Sequence, residues 1–335
     1  MKKFIPALAA LALLLAASCS GALSGGKPKI GVAIYNFDDT FMSIVQRSIE
    51  ANGKDKAELS IVDSMNSQST QNEQIDAFLS RKMRAIIVNP VDRTSSGQIV
   101  DKARARNIPV VFCNREPLVE DMAKWDKVYY VGAQAEQSGT YQGEIAAEYW
   151  KAHPEADKNK DGRMQYVMLT GQPGHQDALL RTEYSIRALD SAGVAYEKLA
   201  EESAHWNRVE GQEKMAAFLS KFGDRIEMVF CNNDDMALGA IAALKVAGYF
   251  DGRKYMPVVG VDATVYALEA LSEGTLLGTV LNDADAQGKA SLDLAIALAK
   301  GEDVTKTGWE ITDGKYVWIP YQKVTQDNYT QFQKQ

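Results

Sequence analysis

The sequence predicts an α/β protein of two doubly wound lobes, each built around a parallel sheet. Three observations carry that prediction. Short apolar, β-branched runs alternate with segments of helical periodicity along most of the chain. The runs are apolar throughout, as strands buried on both faces are. At 335 residues the chain exceeds the roughly 250–300 residues that one core usually serves.

In chain order, a strand is expected over residues 29–35, where Ile30, Val32 and Ile34 lie in one apolar stretch, and a helix over 41–51, with Phe41, Val45 and Ile49 four apart. A strand over 59–63 precedes a helix over 71–81, and a strand over 85–89, with Ile86-Ile87-Val88, precedes a helix over 96–105. Strands over 110–114 and 129–132 complete the first series. After a helix carrying Tyr149 and Trp150, the second series has strands over 165–170, 228–233, 258–262 and 277–282, and helices over 178–192, 209–221, 235–246 and 287–300. Residues 110–114 and 227–233 both contain Val-Phe-Cys-Asn, a faint internal repeat.

Composition narrows the function. Lys and Arg number 37 against 44 Asp and Glu, for a net charge of -7, with 46% hydrophobic residues and 3 Cys. Such proportions exclude a disordered chain, a collagen-like repeat and a disulfide scaffold. Nothing concentrates enough cations to neutralise a run of phosphates, so no nucleic-acid partner is expected. A neutral or small ligand fits better.

The N-terminus reads as an export address. Lys2 and Lys3 precede an apolar run from Phe4 to Ala17, shorter than the roughly 20 residues that span a bilayer. Leu15-Ala16-Ala17-Ser18-Cys19 resembles the bacterial lipoprotein cleavage box, although Ala16 stands where Leu is usual. That resemblance implies a signal peptide over 1–18, a lipidated Cys19 and a tether over 19–28, with acylation as the membrane anchor. The alternative is an ordinary signal cleaved near Ala17. Gly21, Gly26 and Lys27 mimic a phosphate-binding loop, but Pro28 replaces the Ser or Thr and no strand precedes it, so that motif is rejected. Cys113 and Cys231 lie in apolar runs and are expected as buried, unpaired thiols, with a disulfide as the alternative in an exported chain.

Ligands of open α/β sheets bind beyond the carboxyl ends of the strands. Tyr35 with Asp39, Asn114, Asn233, Asp262 and Asn282 all stand at or just after such ends. Each alone could simply cap a helix or make a turn. As a set they offer donors and acceptors suited to sugar hydroxyls. Phe41 and Trp206 could supply flat apolar faces for a sugar ring, Phe41 being equally readable as a core residue. If a helix begins near Asp177, then Asp177 and Arg181 share one face and His175 stands at its entrance. His175 could act as a general base oriented by Asp177, but no nucleophile motif accompanies it, and binding without catalysis is the preferred reading.

A metal signal lies upstream. Asp157-Lys158-Asn159-Lys160-Asp161-Gly162 fits the start of a calcium loop, with oxygen ligands at alternate positions and a Gly for the sharp turn. Position nine is Gln165 and position twelve is Met168, where a bidentate Glu would be needed. A carboxylate arrives from elsewhere, or the match is an accidental charged turn.

Several of these segments carry a resemblance. The stretch from Lys29 to Met42, Asn114-Arg115-Glu116-Pro117, Gly174-His175-Gln176-Asp177 through Arg181, Asn232-Asn233-Asp234, Gly260-Val261-Asp262 and Gly278 to Asp283 resemble the glucose/galactose-binding branch of the type I periplasmic sugar-binding proteins. The similarity runs from about Lys29 to the C-terminus. It implies a three-strand hinge near 132–134, 282–284 and 318–321, an N-terminal lobe of 29–133 plus 284–318, and a C-terminal lobe of 134–283 plus 319–335. It implies that Phe41 and Trp206 sandwich the ring. It implies further that Asp39, Asn114, His175, Asp177, Arg181, Asn233, Asp262 and Asn282 bond its oxygens, with Tyr35 lining the cleft. Calcium is implied on Asp157, Asn159, Asp161, the Arg163 carbonyl, Gln165 and Glu227, the last answering the missing twelfth ligand. The implied function is capture of D-glucose or D-galactose by a lipid-anchored periplasmic monomer. It would deliver sugar to an ABC importer and, in a sensing role, serve a chemoreceptor, with no chemistry on the sugar. Alternatives are a pentose or nucleoside binder of the same fold, or a chemotactic sensor.

Overall fold

The computed structural model describes residues 26–333. The signal peptide, Cys19 and most of the tether lie outside the described residues, as do the last two. No helix among the described residues is long and apolar enough to cross a membrane.

The first sheet joins β1 (Lys29–Ile34), β2 (Glu58–Asp63), β3 (Ala85–Val88), β4 (Val110–Cys113), β5 (Val128–Gly132) and β11 (Tyr316–Trp318), in the order β2-β1-β3-β4-β5-β11, all parallel. The second joins β6 (Met164–Thr170), β7 (Tyr196–Ser203), β8 (Met228–Cys231), β9 (Val258–Val259), β10 (Gly278–Leu281) and β12 (Gln322–Thr325), in the order β7-β6-β8-β9-β10-β12. Only the β10–β12 pair is antiparallel. The two orders are the same, but the repeated Val-Phe-Cys-Asn does not sit on equivalent strands, since β4 is fourth in its sheet and β8 third. In both sheets the crossover direction reverses beside the first strand of the lobe, which opens a crevice at the carboxyl ends.

The chain crosses between lobes three times. It leaves β5 for α5 (Ala135–Ala152), which packs on α6 (Gln176–Ser191). It returns from β10 through α10 (Ala284–Lys300), which packs along α1 (Thr40–Gly53) and under β3 and β4. It passes from β11 to β12 over residues 319–321. Each sheet has a separate apolar cluster on either face, as buried parallel strands require.

Three strands lie outside the expectations as separate elements. β7 reads Tyr-Glu-Lys-Leu-Ala-Glu-Glu-Ser and is mostly exposed at the sheet edge; its charges suit an edge that must not pair with another chain and erase the apolar signal. β11 and β12 are too short to show a period. β9 also ends earlier than expected, at Val259, and the backbone then turns to positive φ at Asp262 (124°) and Ala263 (54°). Cys113 and Cys231 are both buried and free.

The α5–α6 contact fixes the position of the binding helix. Side chains at Gly139 and Gly143 would collide with the backbone oxygens of Arg181 and Ser185, so these glycines let α6 lie directly on α5. Gly143→Val should therefore cost about 1–3 kcal/mol by overpacking, measured by urea denaturation. Unchanged stability would show that α6 moves freely on α5.

Candidate functional site

One cavity lies between the lobes, and Tyr35, Asp39, Phe41, Asn114, His175, Asp177, Arg181, Trp206, Asn233, Asp262 and Asn282 all line it. Arg115 is the twelfth residue of its lining. Residues that follow seven strands, β1 and β4 of one sheet and β6 to β10 of the other, thus meet in the crevice between the two switch points.

Several site residues do cap helices, and the capping leaves other atoms for a ligand. Asp39 caps α1 by accepting the Met42 N–H on Oδ1 at 2.8 Å, while its Oδ2 accepts the Tyr35 hydroxyl at 2.6 Å. Asn233 caps α8 (Asp234–Val246) through Oδ1 and donates Nδ2 to the Trp206 carbonyl at 3.2 Å. His175 caps α6 by accepting the Asp177 N–H on Nδ1 at 3.1 Å, which leaves Nε2 as the protonated nitrogen. Burial, with Arg115 and Arg181 nearby, holds its pKa well below the ordinary value, so the ring is neutral. Because Nδ1 faces a backbone N–H and not a carboxylate, the base-and-orienter geometry is not formed.

Arg181 is the central cation. It is 3% exposed, donates to the Asn232 carbonyl at 2.8 Å, to Asp177 Oδ2 at 3.0 Å and to the Tyr321 hydroxyl at 3.1 Å, and lies 4.0 Å from Asp262. Asp262 in turn accepts from Asn282 Nδ2 at 3.4 Å, and Asn282 Oδ1 accepts from Gln287 at 2.7 Å. Burial raises the pKa values of Asp39, Asp177 and Asp262, with the neighbouring guanidiniums pulling them back. Arg181 Nε and Trp206 Nε1 are buried donors without a partner in the protein, the pattern of a site that a ligand completes.

The aromatic pair is positioned by backbone geometry. Trp206 has φ +67°, a rare conformation for a bulky residue, and its ring occupies the space that a side chain at Gly171 would need. Its edge meets the His175 ring at a centroid distance of 5.0 Å. Asn114 also has positive φ, 62°, and is held by Asn89 Nδ2 at 3.3 Å and by its own carbonyl accepting from Tyr130. Such backbone outliers cluster where the surroundings over-determine a site.

Arg115 and Asn89 were missed as site residues. The Arg115 guanidinium stacks 3.6 Å over the Tyr35 ring and donates to the Val91 carbonyl at 2.7 Å. Its signal was position alone, a cation directly after a strand-end Asn. Asn89 directly follows β3 and ties Tyr35 N–H to the Cys113 carbonyl.

The 157–165 turn holds together through its own groups. Asp157 accepts from the Asp161 and Gly162 N–H groups, Asp161 from Arg163 N–H and from the Asn159 and Gln165 amides, and Glu227 from Lys158 and Gln165 N–H at 2.7 and 2.9 Å. Glu227 is thus folded onto the turn from β8's approach. Gln165 is 1% exposed, and its Oε1 lacks a partner. Among the described residues, no three His, Cys, Asp or Glu side chains converge at metal-binding spacing. The set therefore relies on amide and backbone oxygens beside its carboxylates, a donor set that suits a hard cation such as calcium.

Fold and cleft together define a two-lobed solute-binding protein. Residues 30–303 match the model of the periplasmic binding protein domain, and the chain belongs to that family. It is 40% identical over 331 residues, 98% of either chain, to the D-galactose/methyl-galactoside binding periplasmic protein of Haemophilus influenzae. It is 34% identical over 339 residues, 99% of either chain, to a putative rhizopine-binding protein of Rhizobium meliloti. An ABC transporter solute binding protein from Bacillus halodurans, solved with bound myo-inositol, aligns with a TM-score of 0.79 at 33% identity, covering 92% of this chain and 98% of that one. These relatives are solute-binding proteins, and the family is a periplasmic one.

Beneath the site, Asp234 accepts from Thr264 N–H at 2.8 Å and from the Thr279 hydroxyl at 2.7 Å. Burial pushes its carboxyl from 3.8 up to about 7. The folded chain keeps this proton where the unfolded chain has released it, so stability should fall as pH rises from about 4 through about 7. Asp234→Asn should flatten that decline in thermal melts. An equally steep decline in the variant would assign it elsewhere.

Proposed function

We propose that the chain captures D-glucose or D-galactose in the interlobe cleft and delivers it to an ABC importer. The observation that carries this reading is the convergence of two aromatic residues and a mixed set of carboxylates, amides and guanidiniums on one interlobe cavity. The 40% identity to a galactose-binding relative supports it. Phe41 and Trp206 would cover the two faces of the ring, and the polar residues would exchange hydrogen bonds with its hydroxyls and ring oxygen. Asp39, an acceptor on both oxygens when ionised, can accept a hydrogen bond from a C4 hydroxyl in either orientation, which fits acceptance of both epimers.

Capture works through closure. Thr40 on α1 donates to Asp235 on α8, and Gln176 on α6 donates to Glu116 in the other lobe, so the closed form has latches of its own. A sugar touching both lobes binds the closed form better than the open one, and only that difference shifts the balance. The closed pair of lobes is what a permease, and in a sensing role a chemoreceptor, would recognise. Cys19 would hold the monomer to the membrane by its acyl chains. Calcium on Asp157, Asn159, Asp161, the Arg163 carbonyl, Gln165 and Glu227 would brace the turn before β6; its role there is structural charge compensation.

A second reading, a cyclitol ligand, is favoured by the myo-inositol-bound structure. Calorimetric titration with glucose, galactose, ribose and myo-inositol decides between them. Glucose and galactose should bind tightly and the other two weakly; a preference for myo-inositol would overturn the hexose reading. Trp206→Ala should weaken hexose binding by about 1–3 kcal/mol through lost stacking and burial, and unchanged affinity would remove Trp206 from the sandwich. A chelator should lower the wild-type Tm, while Glu227→Gln should lower the Tm and its calcium response with hexose affinity preserved. A wild-type Tm indifferent to chelator would contradict the calcium assignment.

A further inference from the structure

Thr40, Asp235 and Arg208 stand beside the sugar cavity without lining it. Each is one or two positions from a residue that does: Thr40 lies between Asp39 and Phe41, Arg208 follows Trp206 by two, and Asp235 follows Asn233 by two. Thr40 is the first residue of α1 in one lobe, and its hydroxyl donates to Oδ2 of Asp235, in the first turn of α8 in the other. The carboxylate therefore also meets the positive end of α1 across the gap.

The two oxygens of Asp235 are divided between the lobes. Arg208, in the same lobe as Asp235, donates Nε to Oδ1 at 3.0 Å together with a terminal nitrogen, and its guanidinium lies 5.2 Å from the centre of the Tyr266 ring. That pairing aims Oδ2 at the opposite lobe. The Asp235 side chain is only 12% exposed, so little water competes for the crossing bond. Only contacts that form on closure can bias it. The Arg208–Asp235 pair lies within one lobe and persists when the lobes part, so opening strands no bare carboxylate, and the difference between the two forms is the Thr40 bond with the helix start behind it.

We propose that Thr40 and Asp235 form an interlobe lock, aimed by Arg208, that sets how firmly a ligand is held without selecting which ligand it is. All three are positioning residues. They act on closure, and through it they raise the affinity for every ligand that closes the lobes by the same factor. The proposal rests on closure of the lobes around a ligand, and not on which sugar that ligand is.

The test is calorimetry on the purified full-length protein with D-glucose and D-galactose, in the wild type, Thr40→Val, Asp235→Ala and the double variant, with Asp235→Ser as a second break of the same bond. Thr40→Val keeps the branched shape of the side chain and removes only the hydroxyl. A hydrogen bond to a charged group is worth about tenfold or more, so each single variant should weaken both sugars by about that factor. The ratio of the two affinities should stay within about twofold of the wild type, and the double variant should be less than about threefold weaker than the weaker single one. A group touching the sugar would change the ratio, and two residues acting independently would multiply to about 100-fold. Single effects below about threefold, a shifted ratio or multiplied effects would overturn the lock. If neither hexose binds the wild type but myo-inositol does, the hexose reading falls and the same cycle on myo-inositol decides the lock by whether the two effects multiply. If no ligand binds, there is no capture for a lock to hold, and both fall.

Discussion

The buried Arg181 guanidinium is the interaction on which the cleft depends. It joins α6 to the end of β8 through the Asn232 carbonyl, to the third crossing through Tyr321, and to Asp177 and Asp262 through charge. A desolvated cation is tolerable only with such partners, and removing its carboxylate partners would leave its charge uncompensated. The same requirement runs backwards into the fold. Arg181 reaches these groups because α6 rests on glycines of α5, and because β8 and β9 end where their carbonyls and carboxylates face the crevice.

Around that cation the fold uses single residues twice. Asp39, His175 and Asn233 each satisfy an orphan N–H at a helix start and still present atoms to the cavity. Helix starts and ligand sites coincide because both lie at the carboxyl ends of parallel strands, where the chain turns and its N–H groups await partners. Capping and binding are therefore one arrangement here, and loss of a cap would disturb a site residue's aim as well as helix stability.

This double use also explains what was legible in the sequence. Central strands were readable because burial on both faces makes them apolar throughout, and their polar ends stood out against that background. The edge strand β7 was not, because exposure lets charge replace the pattern. The site residues were recognisable as a set, yet periodicity could not separate cap from ligand at Asp39 or Asn233, since the same oxygen type serves both. Arg115 escaped because its partner is the Tyr35 ring, 80 positions away in the chain, a contact without local signature. The role of Glu227 in folding onto the 157–165 turn was likewise invisible to the local motif and came only through resemblance.

Closure, driven by a ligand touching both lobes, is the central event. Small-angle X-ray scattering of the sugar-stripped protein, with and without saturating galactose, tests it most directly. A smaller radius of gyration with galactose, unchanged with ribose, is the predicted result. Galactose binding with no change in radius would contradict the account, because capture would then proceed without the hinge.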